Sequence, residues 1–264
     1  MTMTAARDKV LRFYRDTDGE ETAVRLVDLA EQTVKTRKFR VSGFLDPYGV
    51  EVAETTAANY DGLSVLFDGG YPGAERQKAV FVHFDFAGSP LFDISAIRIS
   101  WQGEMAHLSH RDILGALMGL GVARETVGDI LVADGAAKVL VDKGLEDFFI
   151  AELKYVGAVP VKTEHESPDA ISPREERVKE IRATVASLRA DSVAAAGFGI
   201  SRSRAASDIE TEKLKLNWQK VKNAAQIVKE GDILSMRGRG RVEVTEVRGK
   251  TKKGRIALEL KRYI

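Results

Sequence analysis

Arginine and glycine alternate through Arg237, Gly238, Arg239, Gly240 and Arg241. The pattern suits phosphate, because glycine lets backbone come close to a ligand while each guanidinium offers a planar fork of donors. A second basic cluster lies upstream at Ser201, Arg202, Ser203 and Arg204. Ser201 is placed to cap a helix, which sets both arginines in its first turn, where positive charge opposes the helix dipole at about 0.3–1 kcal/mol each. Something other than helix stability wants them there, and an RNA phosphate is an adequate reason. Downstream, Lys213, Leu214, Lys215, Leu216 and Asn217 alternate with period two. The leucines then face inward, and Lys213, Lys215 and Asn217 share an outward face. The stretch RGKTKKGR, residues 248 to 255, adds a hairpin tip with five positive charges and no acid.

Other chemically suggestive groups are weaker. His107 and His110 have the HxxH spacing of a zinc pair, but His107 falls before the helix that Ser109 would start, and no third ligand is apparent. His110, Arg111 and Arg124 are read instead as a possible second RNA patch. GLGVAR, residues 119 to 124, superficially resembles a dinucleotide loop but follows a helix rather than joining a strand to one. Phe84 and Phe86 share alternate positions with Val80 and Val82, so core packing is expected for them ahead of base stacking. The absence of cysteine rules out disulfides and thiolate nucleophiles. No catalytic residue, metal, cofactor or small-molecule substrate is expected.

The net charge of +1 conceals an asymmetry. Residues 174 to 264 hold 22 Lys+Arg against 12 Asp+Glu, whereas residues 1 to 173 hold 18 against 27. A polyanion would bind the basic end. The 44% hydrophobic and 30% charged composition is that of a globular chain, with no apolar run able to span a bilayer and no signal-peptide pattern, so a cytoplasmic location is expected.

These side chains need elements to position them. Residues 4 to 36 read as two helices, the second with a buried stripe of Ala23, Leu26, Val27, Ala30 and Val34. Phe39 to Leu45 reads as a strand, Asp46-Pro47 as a capped helix start, and Asp61 to Phe67 as another strand. Strands over Ala79 to Phe86 and Ile94 to Trp101 follow, then a helix with Ser109 and Asp112 in capping-box positions and Gly121 at its end. A hairpin turning at Asp134-Gly135, a helix over Leu145 to Lys154 and a short strand near Val159 to Lys162 complete what reads as a ferredoxin-like, RRM-like split sheet. Thr163 to Glu175 is proline-bearing and poor in large apolar residues, as a linker should be. The expected class is therefore α+β: a small N-terminal α+β domain (1–73), a central ferredoxin-like domain (74–163), a linker (164–180) and a C-terminal RNA-binding module (181–264).

The order of the last elements, with SRSR, KLKLN, EGDIL and RGRGR, resembles the RNA-binding domain named for ribosomal protein S-four over residues 187 to 240. That resemblance implies an RNA-facing groove formed by Arg189, Ser201 to Arg204, Lys213, Lys215 and Asn217. Two glycines usual in the family are replaced by Glu212 and Trp218. SHRDILGALMGLGVARETVGDILV (109–132) and KFRVSGFLDPYG (38–49) are similar to the middle and N-terminal domains of the YlmH family, also called photosystem II S-four domain proteins. Membership implies a non-enzymatic factor that binds ribosomal or transfer RNA at the large ribosomal subunit, in rescue of stalled translation or related regulation. The competing reading is an RNA-modifying enzyme of pseudouridine synthase or methyltransferase type, since such enzymes also carry the S-four-type domain.

Overall fold

The computed structural model describes residues 2–102, 107–172, 178–252 and 254–263, and divides the chain into two compact units, 1–174 and 175–264.

The first unit opens with α1 (Met3–Tyr14), capped by Thr2, and α2 (Glu20–Thr36). The buried stripe of α2 is Ala23, Leu26, Val27 and Ala30 as read, with Thr33 fully buried in place of Val34. The Thr33 hydroxyl is satisfied by the Leu29 carbonyl at 2.8 Å. β1 (Phe39–Leu45) leads into α3 (Pro47–Ala58), where the Asp46 carboxylate accepts from the Gly49 amide at 2.9 Å. β2 (Leu63–Asp68) and β3 (Gln77–His83) complete an antiparallel sheet in the order β1-β3-β2.

Here the structure corrects the sequence reading. The strand expected over Ala79 to Phe86 is the middle of this first sheet, with Val80 opposite Val41 and Leu66, and no part of the central one. A division at 73/74 therefore cuts the sheet. The strand also stops at His83, whose Nδ1 accepts from the Asp85 amide and whose carbonyl accepts from Phe86. That turn throws Phe84 outward, 75% exposed and stacked on the His83 ring, while Phe86 packs on Phe39 at 5.1 Å. Phe84 is thus not a core residue.

The second sheet is built from β4 (Ile94–Ser100), α4 (His110–Gly119), β5 (Val127–Ala133), β6 (Ala136–Asp142) and α5 (Glu146–Glu152). It is followed by the ribbon β7 (Tyr155–Val156) and β8 (Val159–Pro160), and by β9 (Lys162–Glu166). The order β5-β6-β4-β9, with every neighbour antiparallel, is the split arrangement of a ferredoxin-like domain. Ser109 and Asp112 form the capping box reciprocally, and the core gathers Ile97, Ile99, Ile113, Leu117, Val139 and Phe149. The last strand runs to Glu166, into the stretch read as linker, because Thr163 is buried and Ile171 packs with Phe44, Ala96 and Leu140. Residues 173–177 of that linker lie outside the described residues.

That shared cluster ties the two sheets together. Gly128 sits so close to Phe44 that a Cβ there would stand 2.7 Å from its ring. Lys78, 1% exposed, bridges the sheets by donating to Asp142 at 2.6 Å and to the Asp93 carbonyl at 2.8 Å.

The second unit comprises β10 (Val178–Val185), α6 (Ala190–Phe198), α7 (Arg202–Glu210), β11 (Leu214–Leu216), β12 (Gln219–Lys220), β13 (Ile233–Met236), β14 (Gly240–Lys250) and β15 (Ile256–Tyr263). The six strands are antiparallel in the order β10-β15-β14-β13-β11-β12, and helix residues Val193, Ala194, Phe198 and Ala205 pack on Leu214, Leu234, Val242 and Leu260. β10 begins in the last residues of the stretch read as linker (164–180) and runs on into the expected C-terminal module. Among the described residues no helix is long and apolar enough to cross a membrane.

Candidate nucleic-acid interface

The basic face of the second unit is organised by two buried carboxylates. Asp191, in the first turn of α6, accepts from Arg189 Nε and Nη2, both at 3.2 Å, and from Arg202 Nε at 3.0 Å. Asp208, on α7, accepts from Arg204 Nε at 3.2 Å, one helical turn away, and from Lys213 at 3.4 Å. Both carboxylates are about 95% covered, whereas Arg202 and Arg204 remain 52% and 57% exposed. Each arginine therefore spends one edge of its fork on the protein and keeps the other for solvent. Burial on its own would raise the Asp191 carboxyl pKa, but hydrogen bonds from Arg189 and Arg202, with their charges, outweigh it and hold the group below the usual carboxylate range.

Ser201 caps α7 as expected, accepting from the Arg204 amide at 3.2 Å, and Gly199 turns the chain from α6 at φ +65°. The arginines in that first turn have intramolecular partners, so RNA is not required to explain their position. Ser203 is exposed and lies 3.0 Å from the Ser201 hydroxyl.

Lys215 points outward between the buried Leu214 and Leu216, as the alternation predicts. Asn217 departs from its expected role. Its side chain donates to Asp232 at 2.9 Å and accepts from the Ile233 amide at 2.9 Å, so both ends of the amide close a turn. Asn217 and Trp218 form the two-residue loop between β11 and β12 with φ of +47° and +64°, and Glu212 has φ +53°. The left-handed backbone survives at both positions where the family pattern has glycine.

The RGRGR run forms the tight β13–β14 turn. Its glycines supply the left-handed backbone of that turn: Gly238 and Gly240 have φ of +81° and +84°, and a Cβ on Gly240 would press on the Tyr263 carbonyl at 3.0 Å. Arg237 and Arg239 are exposed, and the Arg237 amide donates to the Lys213 carbonyl, joining this turn to the Asp208 cluster. Arg241 is half-buried over the Tyr263 ring. Arg262 reaches the carbonyls of Phe198 and Arg239, both at 3.3 Å, and Lys261 lies over Tyr263. Sequence reasoning missed Asp191, Asp208, Lys261 and Arg262; the Arg204/Asp208 spacing of four on a helix was a readable signal. Lys253 of the hairpin tip lies outside the described residues.

In the first unit, His110 opens α4 with the exposed Arg111 beside it. Arg124 turns inward and donates to the Val127 carbonyl. Partial burial of the ring, and then the charge of Arg124, hold His110 below its ordinary pKa. His110 and Arg124 are thus neighbours, while Arg111 faces solvent.

Three family profiles match the chain. They are "YlmH, N-terminal" over residues 18–86, "Putative RNA-binding domain in YlmH" over 89–169, and "S4 domain" over 188–234. The ribosome-associated protein quality control protein P2 of Bacillus subtilis (strain 168) is 32% identical over 217 residues, spanning 82% of this chain and 84% of that protein. The solved structure of cell division protein ylmH from Streptococcus pneumoniae superposes with a TM-score of 0.50 at 22% identity, covering 59% of this chain and 95% of that one, which speaks to the fold alone.

Proposed function

The chain belongs to the YlmH family, and from that premise we propose that it is a non-enzymatic protein that docks on structured ribosomal or transfer RNA at the large ribosomal subunit. The observation that carries the reading is the pair of buried carboxylates, Asp191 and Asp208, holding Arg189, Arg202, Arg204 and Lys213 half-exposed on one unit. Four cations held in place lose less side-chain freedom on meeting a phosphate backbone than free ones would. Lys215, Arg237 and Arg239 extend the surface, Ser201, Ser203 and Asn217 shape its turns, and Arg241 stiffens its edge. The relative's name, a ribosome-associated protein quality control protein, supports the physiological part of the proposal, quality control at the ribosome, and a cytoplasmic location is proposed with it. The acidic first unit then supplies partner contacts or a second RNA patch at His110 and Arg111.

The test is sedimentation with purified ribosomal subunits across a salt series, comparing wild type with Arg202→Glu/Arg204→Glu. Wild type is expected to follow the large subunit and to weaken steadily with salt, with the double variant left in the supernatant. Equal sedimentation of both would move the contact to the first unit, and sedimentation of neither would remove the ribosome as target.

A further inference from the structure

Arg76, just before β3, and Arg124, at the start of the single turn Arg124–Thr126, meet where the first two sheets join. Both donate to the Val127 carbonyl, Arg76 from Nε at 3.2 Å and Arg124 from Nη1. Arg76 Nη2 also donates to the Phe44 carbonyl at 2.6 Å. Two guanidiniums on one acceptor are held close together, and among the described residues neither forms an ion pair with a carboxylate. The carboxylates whose charge reaches them are engaged elsewhere or exposed. Asp129 accepts from Tyr71 Oη and from the Glu75 and Arg76 amides, Asp46 caps α3, Glu125 faces Arg25 at 3.4 Å, and Glu75 lies at the surface.

Burial lowers the pKa of both arginines, and Arg124, further opposed by the charge of Arg76, is pushed down to about 10. A like-charged pair kept partly desolvated is a costly way to fill a junction that apolar side chains could fill. The pair lines an open cleft of about 510 Å³ together with Arg25, Ser42, Gly43 and Gly49, and three carboxylates, Asp28, Asp46 and Glu125, share its wall. Asp28 is held by Arg7, Asp46 by its cap and Glu125 by Arg25. That volume is on the scale of a small-ligand site.

We propose that this cleft is a phosphate-binding site in which the Arg76 and Arg124 guanidiniums clamp one phosphate group, with Arg25 lining the same opening. A phosphate between the two forks replaces their repulsion with two charge-assisted sets of hydrogen bonds. The phosphate belongs either to an RNA backbone or to a free nucleotide or pyrophosphate. Only the first source rests on the RNA-docking reading above.

The test uses the full chain, wild type against Arg124→Gln, in two arms. In thermal melts, inorganic pyrophosphate is expected to raise the unfolding midpoint of wild type above that in chloride at equal ionic strength, and to leave Arg124→Gln where chloride leaves it. In the salt series with large subunits, an RNA source predicts that Arg124→Gln loses roughly three- to tenfold in affinity and about one unit of salt slope. Pyrophosphate stabilisation with an unchanged slope assigns the site to a free anion instead. No pyrophosphate effect on wild type together with equal slopes overturns the proposal. Should Arg124→Gln not fold, Arg124→Lys keeps the charge without the fork, and a reduced pyrophosphate shift is then expected. Loss of binding in Arg202→Glu/Arg204→Glu reports on the C-terminal surface separately, so the two readings fail independently.

Discussion

Asp191 and Asp208 make the basic face of the second unit depend on acids. Counting charge alone, Asp208→Asn should strengthen RNA binding, because it removes a negative charge. The geometry says the reverse. Arg204 and Lys213 lose their shared anchor and must be ordered anew on binding, so affinity for large subunits is expected to fall several-fold at physiological salt, read by the same sedimentation assay. For Asp191 the consequence is a pH dependence. Its folded pKa lies below the unfolded value of about 3.9, so the stabilisation is fully present above that pH and is lost as pH falls through the folded value. Asp191→Asn is expected to cost about 1–3 kcal/mol at neutral pH, with the difference from wild type closing in acid, as followed by denaturant titration at pH 7 and pH 3. The cations of this face were legible from residue type and spacing. The carboxylates beneath them were not, because an acid in a helix reads equally well as a solvated charge until the fold buries it.

Among the described residues of the second unit, three turn positions hold L-residues in the left-handed region: Glu212, Asn217 and Trp218. Such a conformation costs a non-glycine residue about 1–2 kcal/mol, while glycine costs roughly 0.5–1 kcal/mol through the unfolded chain. Glu212→Gly is therefore expected to be neutral or to stabilise the second unit by up to about 1 kcal/mol, measured by chemical denaturation. A drop in stability would mean that the Glu212–Lys220 ion pair at 2.6 Å outweighs the strain. Local chemistry was readable wherever it is self-contained, as at the Asp46 and Ser109 caps and the Ser201 turn. Partner choice was not. β3 was recognisable as a strand, but nothing local says that it pairs with β1 and β2 rather than β4. β10 escaped notice because its inward row, Ile181, Ala183 and Val185, is short, only partly buried and adjacent to a proline-bearing stretch.

At the level of the whole molecule, the division near residue 174 gives two units with separate cores. Each should unfold as its own cooperative transition. Gly128→Ala forces a methyl against Phe44 and Leu140, and is expected to destabilise the first unit by about 1–3 kcal/mol while leaving the second in place. Calorimetry of Gly128→Ala and Asp191→Asn should thus move different transitions, and a single shared transition would show that the units are coupled.

The pairing of β10 with β15 along its whole length, from Val178 opposite Tyr263 to Val185 opposite Ile256, has a kinetic consequence. A chain made from its N-terminus presents β10 first, yet among the described residues β15 is the strand's one neighbour in the sheet. At about 5–20 residues per second, the intervening stretch takes several seconds to synthesise. Through that interval β10 is an orphan edge, and the sheet beneath the basic face cannot close before its final strand has left the ribosome.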